Sequence, residues 1–342
     1  MKLRCGVIGL GRIGCGFDDN PNAKMISTHA GAYYNNNKTD LVSFCDVDEK
    51  KLEKYGKKYN VKNTYTDYEE MFKNENLDCI SICTWAESHL DIVKKAIKNN
   101  VKGIFLEKPM SDSLMDAEKI NKICKEKNVK LQIDYQRRFD TVYNTLKKII
   151  SDKKFGKIQY FNIYYGGGIS NTGSHICDLI RFLFGDIHSV QGNFSKNPSN
   201  HTLDPNIDGI IICKNNVKCN LQSFDYNKFG LFELDIIGTK SRIKVNLTIG
   251  KIEYFEVVTP KIGLVYNELI LKSLKLPLKS SAIVRGLDNL VQAIKKNKTT
   301  ISNGDIGYSS LEPIIGLMIS AKKQGQEIII PLKNKRYKIT SR

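Results

Sequence analysis

The chain has 342 residues, 41% of them hydrophobic and 26% charged, which is enough apolar material for packed cores and excludes a globally disordered chain; the length suggests about two domains. The net charge is +17, from 53 Lys and Arg against 36 Asp and Glu, but the basic residues are scattered. A nucleic-acid partner is therefore not expected, and an anionic small substrate suits the charge better.

No run of 18 or more apolar residues occurs, so neither a membrane span nor a membrane partner is expected. The start, Met1 to Cys5, leads directly into an apolar run and leaves no room for a signal peptide. The nine cysteines are odd in number, never spaced C-x-x-C, and mostly sit in apolar stretches such as Cys45, Cys79, Cys83 and Cys213. They read as reduced core residues of a cytoplasmic protein, with no disulfide framework and no metal site.

In chain order, short apolar runs at Leu3–Ile8, Leu41–Cys45, Cys79–Cys83, Gly103–Leu106 and Lys130–Ile133 are predicted strands. Between them, Asp48–Tyr59, Ser88–Asn99 and Ser113–Lys127 carry helical spacing, with Asp48 a candidate N-cap. Short strands alternating with helices predict a parallel sheet covered on both faces. After Asp134 the pattern changes. Lys157–Tyr165 and Ile187–Phe194 are predicted strands around one helix, Ser174–Phe184. Asp208–Cys213, Lys218–Phe224, Phe229–Ile237, Arg242–Leu247 and Lys251–Val258 follow as a run of antiparallel strands, with turns at Lys214–Val217, Gly238–Ser241 and Gly250. Val258–Ser281 reads as a surface connection, and Ile283–Lys296 and Ser309–Lys323 as helices. The expected division is a Rossmann dinucleotide-binding domain over residues 1–134 and a substrate-binding and oligomerisation domain over 135–342.

Gly9-Leu10-Gly11-Arg12-Ile13-Gly14 directly follows the first strand. That context makes it a dinucleotide turn: the first glycine permits the bend, the second lets the backbone approach a pyrophosphate, and the third lets helix and sheet pack closely. Asp46 ends the second strand. A carboxylate there accepts both adenosine ribose hydroxyls and repels a 2′-phosphate, which favours NAD over NADP. Asp46 lies 32 residues beyond Gly14, further than the usual spacing; the excess is a polar insert, Phe17 to Met25, that interrupts the first helix. His29 follows this insert and is within reach of cofactor or substrate, although nothing in its spacing demands it.

Glu107-Lys108-Pro109 follows the strand Gly103–Leu106. Ligands of a doubly wound sheet lie beyond the carboxyl ends of its strands, so Lys108 stands at ligand depth, where it can hydrogen-bond a substrate hydroxyl and steady negative charge on it. Taken alone it would be a solvated loop lysine. Pro109 fixes the turn and is a candidate for a cis peptide bond.

These residues resemble the glucose–fructose oxidoreductase and inositol dehydrogenase (Gfo/Idh/MocA) family. The matching pieces are Gly9 to Gly14, Thr84 with His89, Glu107-Lys108-Pro109, Gly173-Ser174-His175 with Asp178, Asp186 after Phe184-Gly185, and the turn Ile237 to Lys240. The resemblance covers nearly the whole chain. It implies a Rossmann domain followed by an α/β domain with a large open, mostly antiparallel sheet, and a homodimer or homotetramer built through that sheet. It implies NAD(P)-dependent oxidation or reduction at a carbinol of a sugar-type substrate, with a phosphorylated or nucleotide-linked sugar fitting the charge. The cofactor-binding set would be Gly9, Gly11, Arg12, Ile13, Gly14, Asp46, Thr84, Trp85, His89, Glu107 and Lys108.

His175 begins the predicted helix of the second half, with Asn171 four residues before it and Asp178 three after. Thr172 or Ser174 is the expected cap. A histidine suits a general base that takes a hydroxyl proton as hydride leaves carbon; the plain alternative is a satisfied helix-start histidine. With the resemblance, Lys108 and His175 are the expected catalytic pair, and Lys108, Arg138, Asn171, His175 and Asp178 the expected substrate-binding set. Two positions depart from the family pattern. Asn171 stands where many members have Asp, and an amide cannot accept a proton. Trp85, the only tryptophan, stands in Thr84-Trp85-Ala86 where Thr-Pro-Asn is common, and either packs against the nicotinamide or forms a core edge. Arg137 and Arg138 suit a phosphate or carboxylate, and Gly166 to Gly168 would give a substrate close backbone access. The Asn171 departure keeps open an enzyme that retains NAD and runs a non-net-redox reaction, an epimerisation or a glycoside cleavage. A non-catalytic NAD-binding regulator is the alternative from another class.

Overall fold

The computed structural model describes residues 2–152, 154–246, 251–260, 266–277 and 280–340. The chain divides into two compact units. One comprises Met1–Thr141 with Lys279–Ser309, the other Val142–Leu278 with Ser310–Arg342.

In the first unit the strands are β1 (Leu3–Ile8), β2 (Thr39–Cys45), β3 (Asn63–Tyr65), β4 (Cys79–Ile82), β5 (Gly103–Leu106) and β6 (Lys130–Ile133), and the helices are α1 (His29–Tyr34), α2 (Glu49–Tyr59), α3 (Tyr68–Asn74), α4 (His89–Lys98) and α5 (Leu114–Glu126). The sheet is parallel in the order β3-β2-β1-β4-β5-β6, the doubly wound order with its switch between β1 and β4. Every residue of β4 and of β5 is buried, because helices cover both faces and leave no solvated side. Side chains cap the helices at the expected chemistry: the Asp48 carboxylate accepts the N–H groups of Lys50 and Lys51, and Ser113 accepts that of Asp116. On α5 the buried residues are Leu114, Ala117, Ile120 and Cys124, the stripe that the spacing predicts.

The first helix differs from a simple Rossmann start. After the glycine turn comes one 3-10 turn, Gly16–Asp19, and α1 begins only at His29. Yet Ile13 and Gly14 carbonyls accept from the His29 and Ala30 N–H groups at 3.1 and 3.0 Å. The glycine turn and α1 are therefore two parts of one helical stack, with the polar excursion looped out between them. Asp18 closes that loop by accepting from Ser27 N–H and Thr28 Oγ1.

The sequence division at residue 134 assigns everything after it to the second half. The structure differs. Helix α8 (Ala282–Lys296) buries Ile283, Leu287, Leu290 and Val291 in the core that also holds Leu3, Val7, Phe44 and Phe105. Its apolar face completes the covering of β5 and β6, a long-range partnership that local spacing does not encode.

The second unit carries α6 (Thr141–Ser151), β7 (Ile158–Tyr165), α7 (Gly173–Phe184), β8 (Ile187–Phe194), β9 (Ile207–Cys213), β10 (Lys218–Ser223), β11 (Glu233–Gly238), β12 (Ser241–Asn246), β13 (Lys251–Val258) and β14 (Glu268–Lys272), and ends in the helix α9 (Gly304–Lys322), whose first residues lie in the other unit, and β15 (Ile328–Ile329). Its sheet runs β14-β13-β12-β11-β7-β10-β9-β8-β15 among the described residues. All pairs are antiparallel except β7 with β10. Strand β14 lies within the stretch read as a surface connection. It pairs with β13, Leu269 opposite Val257, and all five of its residues are exposed; an edge strand solvated on both faces has no alternation to betray it. The predicted strand end Leu247 and turn residue Gly250 lie outside the described residues.

The placement of α8 makes a prediction. Leu287→Ala removes a fully buried side chain and should lower the stability of the first unit by about 2–5 kcal/mol. Trp85 is the only tryptophan and lies in that unit, so its fluorescence in a denaturant titration reads the loss. An unchanged midpoint would remove α8 from that core.

Candidate functional site

In the first unit the residues singled out from the sequence follow the carboxyl ends of β1, β2, β4 and β5, one end of a parallel sheet. The glycine turn is set by close contact. Gly9 has φ +90, and a Cβ there would lie 2.7 Å from the Cys83 carbonyl oxygen. A Cβ on Gly14 would lie 2.1 Å from the Gly9 carbonyl oxygen. Gly11 differs: a Cβ there would meet nothing within 4 Å. Protein packing explains the first and third glycines and leaves the second facing open space.

Asp46 is tied to this turn. Its Oδ2 accepts the Leu10 N–H at 2.6 Å and its Oδ1 accepts the Asp48 N–H at 2.9 Å. Lys51 Nζ stands 3.7 Å from Oδ1. A carboxylate offers about four acceptor positions, so capacity for ribose hydroxyls remains. Arg12 lies over the Phe17 ring at 4.8 Å, and Ile13 packs against the core.

Beyond β4, Thr84 Oγ1 and Ser88 Oγ share a hydrogen bond of 2.7 Å. Trp85 is 54% exposed, so its ring is not enclosed by the core. His89 is buried, with Nδ1 3.2 Å from the Met110 carbonyl and Nε2 3.1 Å from that of Thr84. Burial pushes its imidazole down to about 4 despite these carbonyls. The ring is thus enclosed by main chain and ties the start of α4 to the 84–89 turn and to Met110.

Beyond β5, the Lys108–Pro109 peptide is cis, as the sequence allowed. Glu107 is buried. Its Oε1 lies 3.1 Å from His29 Nε2, and its Oε2 accepts the Lys108 N–H at 3.2 Å. His29 Nε2 is also 3.5 Å from Asp134 Oδ2. The three side chains each bring one ligand-type atom to within 4.8 Å of the others. Burial pushes the Glu107 carboxyl up to about 7, helped by the Asp134 charge and opposed by His29. Burial alone would lower the His29 imidazole, but Cys83, Asp134 and Glu107 outweigh it and hold it well above the ordinary range. Sequence reasoning did not find this cluster. Its members are scattered over the chain and converge because the first residue of α1 meets the ends of the neighbouring strands β5 and β6.

In the second unit, Gly168–Thr172 forms one π-helical turn that runs into α7. The expected cap by Thr172 or Ser174 is not made; Ser174 Oγ instead donates to the Asn171 carbonyl at 2.6 Å. The N–H groups of Ser170 and Asn171 donate to the buried Asp204 carboxylate at 2.7 and 2.9 Å. A loop aspartate more than 30 residues away thus does the capping. The same carboxylate would lie 2.1 Å from a Cβ on Gly168, and a Cβ on Gly166 would lie 2.7 Å from the Tyr226 ring. These two glycines therefore answer to internal packing and not to the substrate approach that their run suggested. Asp178 is buried and accepts from Ser310 Oγ at 3.0 Å. His175 is half-buried in the first turn of α7, and Arg138 lies in the 3-10 turn Gln136–Arg138 after β6 in the first unit.

Comparison with known proteins places this geometry. Residues 3–135 match the oxidoreductase family described by its NAD-binding Rossmann fold, and residues 162–244 match the GFO/IDH/MocA C-terminal domain. Among curated proteins the chain is 28% identical over 199 residues to a myo-inositol 2-dehydrogenase of Thermotoga maritima, covering 54% of this chain and 55% of that one. It is 29% identical over 207 residues to a scyllo-inositol 2-dehydrogenase (NAD(+)) of Bacillus subtilis, covering 56% and 57%. The match thus spans little more than half the length of these relatives. In fold it is similar to the WlbA dehydrogenase of Bordetella pertussis, solved with NADH and UDP-GlcNAcA, with a TM-score of 0.76, 18% identity and coverage of 97% of this chain and 100% of that one. With one family match over the parallel-sheet unit and another over the mostly antiparallel sheet, the chain belongs to the GFO/IDH/MocA oxidoreductase family and carries its NAD-binding Rossmann fold.

Proposed function

We propose that the protein is an NAD-dependent dehydrogenase acting at a carbinol of a sugar or cyclitol that carries an anionic group. The observation that carries the cofactor half is Gly11, whose missing side chain the protein's own packing does not require. The turn from Gly9 to Gly14 would hold the pyrophosphate and Asp46 the adenosine ribose, with Arg12, Ile13, Thr84, Trp85, Glu107 and Lys108 around the dinucleotide. NAD, when bound, supplies the hydride acceptor. Lys108 orients the reacting hydroxyl and steadies negative charge on its oxygen. His175 takes the hydroxyl proton. Arg138, Asn171 and Asp178 bind the substrate; Asn171 does so as a hydrogen-bonding amide and takes no proton. The net charge of +17 supports an anionic substrate, which it would draw in at long range. The second unit carries the substrate-binding and oligomer-forming surfaces.

Fluorescence titration with NADH and NADPH tests the cofactor half. Gly11→Ala should leave the melting temperature unchanged and weaken NADH about tenfold or more, whereas Gly14→Ala should destabilise the unit by about 1–3 kcal/mol because its Cβ meets backbone. Undiminished NADH binding in Gly11→Ala would end this account of the turn. Asp46→Asn keeps an acceptor for the Leu10 N–H but loses the charge. Its preference for NADH over NADPH should fall about tenfold, a change of about 1.4 kcal/mol.

Turnover tests the chemical half. Wild-type protein incubated with NAD should accumulate NADH faster with the anionic UDP-GlcNAcA than with the uncharged myo-inositol or D-apiose, the substrates being those in the names of relatives or structural neighbours. Lys108→Ala and His175→Ala should each lower kcat by about 10²-fold or more while NADH affinity stays within about threefold. Normal turnover in both variants would refute the assignment. Tightly retained NAD with no NADH accumulating would favour the non-net-redox alternative.

A further inference from the structure

His29, Glu107 and Asp134 form a buried group that the proposed chemistry leaves unused. Hydrogen-bond directions settle the state of the imidazole. Ser81 Oγ donates to the Tyr33 hydroxyl at 3.1 Å, and a serine has one proton to give. The 2.8 Å contact between His29 Nδ1 and Ser81 Oγ is therefore a donation from the ring. On the other side, Nε2 lies 3.1 Å from Glu107 Oε1 and 3.5 Å from Asp134 Oδ2; the ionised Asp134 can only accept, so Nε2 donates there as well. A ring that donates from both nitrogens is an imidazolium.

Charge balance settles the rest. Two carboxylates against one imidazolium would leave an uncompensated buried negative charge, which low-dielectric surroundings strongly disfavour. Asp134 accepts from the Gln136 amide at 2.9 Å and sits beside the imidazolium, which holds its carboxyl below the ordinary range although burial opposes this. Its Oδ1 is buried and has no hydrogen-bond partner among the described residues, so acceptor capacity is left inside the cluster. Glu107 is the carboxyl that keeps a proton. The remaining groups that face His29 are the Cys83 thiol, which burial keeps protonated against the pull of His29, and the Phe105 ring edge at 4.5 Å.

We propose that His29, Glu107 and Asp134 are a proton-sharing cluster that positions Lys108 through its backbone, with the charge on Glu107 setting the strength of the bond that holds the Lys108 N–H. His29 and Asp134 are thus positioning residues. A donor to a carboxylate is held more strongly than a donor to a neutral carboxyl, and misplacing a reactive group by about 1 Å can cost about 10²-fold in rate. This rests on the reading of Lys108 as the group that orients substrate. Its test needs no substrate, so failure of the cluster and failure of that reading are separate results.

Selective labelling of lysine and histidine with nitrogen-15 tests the proposal on the whole chain. The Lys108 amide resonance, assigned by its loss in Lys108→Arg, should titrate with a midpoint near pH 7, following Glu107, and should stop titrating there in Glu107→Gln. Asp134→Asn should move the midpoint down and His29→Gln should move it up, each by one pH unit or more, because one removes a like charge and the other an opposite charge. A single cooperative thermal unfolding transition, followed by circular dichroism, reports that each variant is folded. The chain has only five histidines, so the His29 ring nitrogens can be followed in the unmutated protein, where they should remain protonated at pH 7.5. A Lys108 amide indifferent to pH, midpoints moving the same way in both variants, or a His29 that loses its proton near 6.5 would overturn the proposal. So would a stoichiometric metal ion in the purified protein, which would make the three side chains a metal site.

Discussion

The close approach of Gly9 to the Cys83 carbonyl is the contact on which the first unit's functional end depends. It requires a residue without a Cβ, and it places the turn after β1 directly against the chain leaving β4. These two strands flank the switch point of the sheet, where the connections depart to opposite faces and leave a crevice. The turn is then secured by a charge-assisted bond, the Leu10 N–H to Asp46 at the end of β2. Three strand ends are thus locked together by one steric fact and one hydrogen bond. Asp46 supports the turn, and the proposed function gives its charge a second duty, holding the adenosine ribose.

The loop excursion after Gly14 shows how such a turn tolerates insertion. The helix that normally leaves the third glycine is interrupted, but Ile13 and Gly14 still find their hydrogen-bond partners, at His29 and Ala30. The helical ladder is rejoined across the gap, so the strand-to-helix packing that Gly14 permits is kept. The same rejoining carries His29 to the sheet end, where it meets Glu107 and Asp134. An insertion that looks like a departure from the fold is compatible with a precise buried cluster because the constraint acts on backbone hydrogen bonds and not on sequence distance.

Particular residues show where the sequence was legible. Gly9 to Gly14, Asp46 and Glu107-Lys108-Pro109 were found because each sits beside a short apolar run that marks a strand, and ligand-facing residues follow strand ends. Strand β14 was missed because it is exposed on both faces, and α8 was given to the wrong half because its partner strands are far away in sequence. His89 matched a family pattern but turned out to be enclosed by main-chain carbonyls. Thr172 and Ser174 looked like helix caps, yet Asp204 performs that task from a distant loop.

By itself, then, the sequence determined the two sheet types and the glycine turn that follows β1, because these depend on local periodicity and on residues a few positions apart. Tertiary structure alone decided which buried groups meet in one cluster, which glycines are demanded by packing and which is not, and where the last helices belong. These depend on contacts between residues far apart in the chain. The charge state of Glu107 illustrates the difference: nothing next to it in sequence moves it, whereas burial beside Asp134 and His29 does.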